Sequence, residues 1–257
     1  MVVRSIAAIA SLILVTGCAK PPPEFEDVPP ADELYEEGQK ILEGTRILGV
    51  WTYVNFGKAI ETFQAIIDNY PYSEYAVLAE QAIADSYFQD EKYEEALSYY
   101  RDFTDLHPQH EKVPYAIYRS ALCHQRRVRS ANRDQTATRE ALIFLDQLLA
   151  KYPYSEYAGE GEALWRELRT TLAEQVRDIG DFYLKRDEWE SAAERYRSLL
   201  NEYPGLGLDA EALYKLGVCY AKMNRIEEAE GIFEAIVQNY RESDVAKDAA
   251  DRIASMN

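Results

Sequence analysis

Apolar residues recur along this chain at the three- and four-residue spacing that places them on one face of a helix. Two such stripes contain five apolar residues each: Ala59, Ile60, Phe63, Ile66 and Ile67, and Ala229, Ile232, Phe233, Ile236 and Val237. The chain has only 12 glycines and 10 prolines, and no Asn-Gly or Asp-Gly pair that would favour a hairpin. The pattern predicts an all-α protein in which neighbouring helices cover each buried stripe.

The heptapeptide YPYSEYA separates the helical segments at two places, Tyr70–Ala76 and Tyr152–Ala158. Proline disfavours helical geometry in the residue before it, so the first tyrosine of each copy should end a helix. Ser73 and Ser155 can each accept a hydrogen bond from the free N–H groups of the next helix. The glutamate after each serine then lies in the first turn, where the helix dipole favours negative charge. We therefore expect a helix end, a turn and a helix start in each copy.

Weaker versions of the same stop follow at Leu106–Pro108, at Tyr203–Pro204 and, without proline, at Asn239–Ser243. The successive intervals along Pro71, Pro108, Pro153, Pro204 and Arg241 are 37, 45, 51 and 37 residues. A stop that returns at intervals near 40 residues is typical of a helical repeat array.

The repeat resembles the tetratricopeptide repeat, a helix pair of about 34 residues. That family places a small residue and then a large one in the first helix, and alanine, then an aromatic and a closing proline in the second. Three units keep the twelve-residue step from the small residue to alanine: Ala84, Tyr87, Ala96, Tyr100; Gly180, Tyr183, Ala192, Tyr196; and Gly217, Tyr220, Ala229, Phe233. The resemblance implies an α-solenoid of about five helix pairs.

Three segments depart from the regular repeat. About nine extra residues, Thr45–Tyr53, lie between the helices of the first unit, and their apolar side chains, including Trp51, are expected to pack against the repeats. A polar and basic insertion, Arg126–Ala137, is expected to loop out of the third unit. The 51-residue interval in the fourth unit predicts one long helix over roughly Ser155–Lys185.

The first residues predict export and anchoring. MVVR is a short positive segment, and Ser5–Val15 is an apolar run too short to span a bilayer as a helix. The following Leu14–Cys18 resembles the lipobox of bacterial lipoproteins, in which the chain is cut before the cysteine and that cysteine is lipidated. The resemblance makes Cys18 the lipidation site, and Ala19 rather than Asp after it favours the outer membrane. The alternatives are an ordinary signal peptide with an incidental cysteine, or a core cysteine of an apolar helix.

These features divide the chain into four segments. Residues 1–17 form a signal peptide, and residues 18–31 form a lipidated start with a Pro-rich, semi-rigid spacer. Repeats one to three occupy residues 32–153, and repeats four and five, with the long helix, occupy residues 154–257.

Composition limits the possible functions. With 45 acidic against 28 basic residues, the net charge is −17, which argues against nucleic acid as a partner. His107 and His110 lack further ligands for a metal site, and Cys123 and Cys219 fit as small core residues. Because no catalytic motif is present, we expect a non-enzyme without metal or cofactor.

The order and spacing of these motifs resemble the BamD (ComL/YfiO) family of outer membrane assembly lipoproteins. The resemblance rests on the lipobox and Pro-rich start, the two YPYSEY stops, the Asn132–Asp134 loop and the long fourth-unit helix that leads into FYLKRDEWESAAERYRSLLNEYP. It implies a scaffold that binds the periplasmic domains of the insertase BamA, other assembly lipoproteins and unfolded β-barrel substrates. The alternative is an envelope adaptor lipoprotein that coordinates peptidoglycan synthesis or cell division.

The resemblance also implies two binding surfaces. A basic residue in the second helix of the fourth unit docks the insertase, and Arg195 stands at the matching place; the competing interpretation is a surface ion pair, for instance with Glu188. First helices of tetratricopeptide pairs line the concave face, which makes one set of residues a candidate groove for an extended peptide with an aromatic terminus. That set is Tyr35, Gln39, Leu78, Phe88, Tyr115 and Tyr118. The competing interpretation is that these tyrosines only cover the core.

Overall fold

The computed structural model describes residues 28–47, 51–127 and 134–256. Cys18, the signal peptide, most of the spacer and residues 128–133 of the third-unit insertion lie outside this part of the chain. The described helices are α1 (Ala31–Glu43), α2 (Phe56–Asn69), α3 (Glu74–Gln89), α4 (Tyr93–Leu106), α5 (Val113–Gln125), α6 (Thr136–Lys151), α7 (Ala158–Leu184), α8 (Trp189–Glu202), α9 (Asp209–Lys222), α10 (Ile226–Asn239) and α11 (Val245–Met256).

Each helix packs on the next, so that α1–α10 form five successive pairs and α11 covers the last pair. First helices of neighbouring pairs also touch, as α1 does with α3 and α9 with α11. The predicted all-α repeat array is therefore confirmed, and the long fourth-unit helix is α7, with 27 residues.

In the fourth and fifth units the small residue of the first helix makes room for a ring of the second helix. Tyr196 and Phe233 are fully buried. A Cβ atom added to Gly180 would lie 2.8 Å from the Tyr196 ring, and one added to Gly217 would lie 2.7 Å from the Phe233 ring. Such close approach explains why this position must be small when the partner is a large ring.

Both remaining cysteines belong to this core. Cys123 and Cys219 are buried free thiols, as predicted. Burial raises the pKa of Cys123 to about 12 and that of Cys219 to about 11. Neither thiol is ionised near neutral pH, so both act as small apolar residues.

The two YPYSEYA copies do not start their helices alike. Tyr70 and Tyr152 follow the last residues of α2 and α6, as predicted. Ser73 accepts a hydrogen bond from the backbone N–H of Ala76 at 3.2 Å and caps α3. The predicted cap by Ser155 is wrong, because α7 begins at Ala158 and the buried Ser155 hydroxyl has no hydrogen-bond partner in the described part of the chain.

The physical reason lies in the turn that precedes α7. The residues after the second proline continue as turns through Tyr157, and a hydrogen bond from the N–H of Gly161 to the carbonyl of Tyr157, at 2.9 Å, opens the helix. The prediction that Glu156 lies in the first turn of α7 is therefore wrong, because Glu156 precedes that turn.

The first-unit insertion forms a β-hairpin instead of packing against the repeats. β1 (Thr45–Ile47) pairs antiparallel with β2 (Trp51–Tyr53), after Gly44 ends α1 with a φ of +74°. Trp51 is 71% exposed and Tyr53 is 59% exposed. The expectation that Trp51 packs is therefore wrong, because strand pairing satisfies the backbone while both rings remain in solvent.

Candidate partner-binding surfaces

A hydrogen-bonded network joins the second and third repeat units. Asp85 on α3 accepts hydrogen bonds from the hydroxyls of Tyr100 on α4 and Tyr115 on α5, the latter at 2.6 Å. The Nε of Arg119 on α5 donates to the Tyr100 hydroxyl at 3.0 Å, and its Nη2 lies 3.6 Å from Asp85. One carboxylate and one guanidinium thus fix three helices relative to each other.

Burial determines the protonation states in this network. It raises the pKa of Tyr100 and Tyr115, and the adjacent Asp85 charge raises both further. Burial alone would lower the pKa of Arg119, but its interactions with Tyr100, Tyr115 and Asp85 outweigh this and raise it. The tyrosines remain neutral donors and Arg119 remains a cation.

Aromatic rings extend this network into a surface. The guanidinium carbon of Arg119 lies 3.7 Å from the Phe88 ring centroid, a cation–π contact. The Tyr157 ring lies 5.3 Å from that of Tyr115 and stacks on Tyr118 at 5.8 Å. We call these five half-buried residues the N-terminal groove cluster; they come from α3, α5 and the turn before α7.

Three of the six predicted groove residues, Phe88, Tyr115 and Tyr118, belong to this cluster. Tyr35 lies nearer the start of the chain and packs against Phe63 and Tyr75, with ring centroids 5.6 and 5.7 Å away. Leu78 on α3 is half-buried and Gln39 on α1 is exposed.

Sequence reasoning missed Asp85, Arg119 and Tyr157. One signal could have found the first two: Arg119 follows Asp85 by 34 residues, one repeat length, and the same acid-to-base step recurs at Asp181 and Lys215. Tyr157 gave no separate signal, because both copies of the heptapeptide end in Tyr-Ala.

The second acid–base pair has the same arrangement on successive helices as the first, with shorter contacts. Tyr196 on α8 donates to Asp181 on α7 at 2.6 Å, and Lys215 on α9 lies 2.7 and 2.9 Å from the two Asp181 oxygens. Glu211, also on α9, pairs with Lys215 at 2.6 Å. Asp181, Tyr196 and Lys215 each stand 96 positions after Asp85, Tyr100 and Arg119, so the two networks are repeat copies.

In this second network, the ion pair determines the direction in which the pKa of Asp181 and the pKa of Lys215 are shifted. Burial alone would raise the pKa of Asp181, but hydrogen bonds from Lys215 and Tyr196 and nearby positive charge hold it below its usual value. Burial alone would lower the pKa of Lys215, but its contacts with Asp181 and Glu211 raise it. Both groups are charged across the physiological range.

Arg195 is exposed on α8, next to the fully buried Tyr196. Glu188, the candidate partner for a surface ion pair, instead pairs with Arg186 at 3.1 Å. None of the ion pairs formed among the described residues involves Arg195. The guanidinium therefore faces solvent without a carboxylate from the described part of its own chain.

Two absences hold for the described ranges 28–47, 51–127 and 134–256. Within them, no cluster of three or more His, Cys, Asp or Glu side chains is arranged to hold a metal ion. His107 pairs instead with Glu80 at 2.7 Å. No helix there combines the length and apolar character needed to cross a bilayer.

Comparisons with solved structures return repeat proteins at low identity. The TPR2AB domain of yeast Sti1, in its pHSP90 complex, has a TM-score of 0.46 and 16% identity, covering 88% of this chain and 82% of that one. A thermophilic TPR protein of Thermus thermophilus has a TM-score of 0.36 and 16% identity, covering 88% and 98%.

Sequence comparisons are more specific. The proteins named outer membrane protein assembly factor BamD from Vibrio cholerae and Rickettsia prowazekii are each 28% identical to this chain, covering 84% and 93% of it and 92% of each relative. The BamD of Caulobacter vibrioides is 28% identical over 88% of this chain and 72% of its own length. The YfiO family, described as an outer membrane lipoprotein, matches residues 29–232. This match reaches from α1 into α10, and the chain belongs to the YfiO outer membrane lipoprotein family.

Proposed function

We propose that this chain is the lipid-anchored scaffold subunit of the machinery that folds and inserts β-barrel proteins into the outer membrane. The observation that carries the proposal is the family match over residues 29–232, together with relatives named as outer membrane protein assembly factors. The scaffold works by binding, through side chains displayed on a rigid helical array, and uses neither a catalytic residue nor a cofactor. Its partners are the periplasmic domains of the insertase BamA, accessory lipoproteins and unfolded barrel substrates.

Anchoring is assigned to Cys18, which places the repeats on the periplasmic face of the outer membrane. Several acyl chains on one residue make a stable anchor, since each buried methylene adds about 0.8 kcal/mol. Cys18→Ser should abolish acyl labelling and leave any exported product soluble. Cys123→Ala is the matched control, because this buried thiol lies in the repeat core and its removal should leave labelling intact. Labelling that survives in Cys18→Ser would refute the anchor.

Arg195 is assigned to docking the insertase. An exposed guanidinium without a carboxylate partner among the described residues can bind a partner carboxylate bidentately. Replacement by alanine should weaken binding to the purified periplasmic domains of the insertase by about 2 kcal/mol or more, roughly 30-fold. The melting temperature should hardly change, because Arg195 makes no ion pair within the described chain.

Arg166→Ala is the matched control for docking. Arg166 is exposed on α7 and already pairs with Glu162 at 3.0 Å, so its loss should leave insertase affinity unchanged. Equal affinities for wild type and Arg195→Ala would show that Arg195 is not part of the docking surface. The scaffold assignment would still stand.

The N-terminal groove cluster is assigned to extended substrate segments that end in an aromatic residue. Asp85 holds the Tyr115 ring and Arg119 holds the Phe88 ring, and rigid aromatic anchors commonly carry binding energy. A photocrosslinker at Tyr118 or Phe88 should capture a synthetic extended peptide with a C-terminal phenylalanine. The same crosslinker at Ser98, exposed on the second helix α4, should not. Capture at Ser98 alone would refute the groove.

A further inference from the structure

A cleft of about 750 Å³ opens between α9 and α11 at the C-terminal end of the array. Leu184, the last residue of α7, contributes to it, so the cleft lies across three consecutive first helices. Its apolar lining includes Leu184, Tyr214, Val218 and Val245, and its charged lining includes Glu211, Lys215, Glu242, Asp244 and Arg252. We call this the C-terminal cleft.

The cleft stands where the N-terminal groove cluster stands in the other repeat copy. Four of its residues follow their counterparts by 96 positions, namely Leu184 after Phe88, Glu211 after Tyr115, Tyr214 after Tyr118 and Lys215 after Arg119. The fifth residue, Val245, matches Tyr157 by its place in the motif that ends one helix and starts the next. Val245 follows Tyr240 by five residues, as Tyr157 follows Tyr152.

The two copies differ in the side chains at this place. In the N-terminal copy the rings of Tyr115 and Tyr157 meet at 5.3 Å, and the matching cleft beside Tyr157 is smaller, about 480 Å³. In the C-terminal copy a carboxylate and a small aliphatic side chain, Glu211 and Val245, stand at those places, and the cleft there is larger, about 750 Å³. The same scaffold thus carries two clefts, one smaller and bordered by aromatic rings and one larger and acidic.

The charge of the cleft favours a cationic ligand. Its lining carries three carboxylates against two cations. One of those cations, Lys215, is already held between Asp181 and Glu211 at 2.6–2.9 Å. Glu242 and Asp244 are exposed at the rim, beside the apolar wall that includes Val245.

We propose that the C-terminal cleft binds an extended segment of a partner protein in which lysine or arginine stands beside aliphatic side chains. The aliphatic groups enter between Leu184, Val218 and Val245, and the basic group pairs with Glu242 and Asp244. This goes beyond the proposed scaffold function, since it adds a second peptide site with a specificity different from that of an aromatic groove. It depends neither on the anchor nor on Arg195.

Two fluorescein-labelled decapeptides test the proposal, identical except for a Leu-Arg-Leu or a Leu-Glu-Leu centre. Fluorescence polarisation with the full-length chain in detergent should show the arginine peptide binding at least about tenfold tighter. The double variant Glu242→Gln, Asp244→Asn should reduce that preference about tenfold or more. Glu234→Gln, an exposed carboxylate on α10 outside the cleft, is the matched control and should bind as wild type does.

A second variant tests whether the peptide binds in the C-terminal cleft, independently of the charges at its rim. Val245→Tyr combined with Glu211→Tyr introduces the two rings of the N-terminal copy and should narrow the cleft and weaken arginine-peptide binding at least about tenfold. Equal binding of the two peptides, tighter binding of the glutamate peptide through Arg252, or no binding up to about 1 mM would each overturn the proposal. So would full binding by a folded Val245→Tyr, Glu211→Tyr protein, as judged by an unchanged helical circular dichroism signal.

Discussion

The ammonium nitrogen of Lys215 on α9 lies 2.7 Å from a carboxylate oxygen of Asp181 on α7. This contact crosses from the fourth repeat unit to the fifth, as the contact of Arg119 with Asp85 crosses from the second to the third. In each copy the same carboxylate also accepts a tyrosine hydroxyl from the helix between them, Tyr196 or Tyr100. Polar networks therefore add to apolar packing in fixing successive units.

The Asp181 network predicts a specific pH dependence. The folded-state pKa of Asp181 is held below its ordinary 3.8, so its ionised form stabilises the protein above that pH and the contribution is lost as pH falls through the folded value. The folded-state pKa of Lys215 is raised above 10.5, so its contribution is present below that pH and is lost as pH rises through the folded value. The free energy of unfolding lost in Asp181→Asn should be greatest near neutral pH and shrink at both extremes.

Urea unfolding of wild type and Asp181→Asn between pH 3 and pH 11 measures this difference. Asp178→Asn, on the same helix but more exposed, is the control and should show a smaller loss at neutral pH. If Asp181→Asn lowers the free energy of unfolding by the same amount at every pH, the ion pair of Asp181 with Lys215 does not provide this stability.

Asp85→Ala should destabilise the N-terminal repeats strongly. The fully buried Tyr100 and the half-buried Tyr115 would lose the acceptor of their hydroxyls, and Arg119 would keep a charge without its carboxylate. We expect a loss of about 2–4 kcal/mol in the free energy of unfolding. Asp102→Ala, exposed on α4, should stay within about 0.5 kcal/mol of wild type. Equal effects of the two substitutions would contradict the network.

Two glycine-to-alanine substitutions should change the stability of the protein in opposite directions. Alanine at Gly217 would place its Cβ 2.7 Å from the buried Phe233 ring, and such overpacking costs about 1–3 kcal/mol. The Cβ of alanine at Gly231 on α10 would meet no described atom within 4 Å apart from the local backbone of α10, so the higher helix propensity of alanine should stabilise by about 0.5–1 kcal/mol. Thermal unfolding should show a lower melting temperature for Gly217→Ala and a higher one for Gly231→Ala; a shift in the same direction for both would be inconsistent with the packing.

The sequence predicts the repeat architecture well because its signals are local. Tyr70 and Tyr152 end their helices through the proline that follows each. The framework pair Gly217 and Phe233 is separated by a fixed number of residues within one helix pair. Such spacings are decided by helix geometry alone and need no knowledge of more distant contacts.

The features that sequence reasoning missed depend on contacts between units or on a weak local signal. Asp85 and Arg119 meet only when α3 and α5 are packed side by side, and a 34-residue step does not by itself indicate a contact. The hairpin was missed because it has no Asn-Gly or Asp-Gly turn, although the β-branched and aromatic residues of Thr45–Ile47 and Trp51–Tyr53 favour strands. The start of α7 differs from that of α3 although the heptapeptide is the same, so the local sequence alone does not decide where the helix begins.

The scaffold assignment is tested most directly by affinity purification of the full-length lipoprotein from a solubilised envelope extract, with co-purified proteins identified by mass spectrometry. We predict that the barrel-forming insertase and accessory assembly lipoproteins are recovered with the wild-type chain, and that Arg195→Ala recovers much less insertase. Recovery of septal or peptidoglycan synthases without the insertase would contradict it and favour the envelope-adaptor alternative.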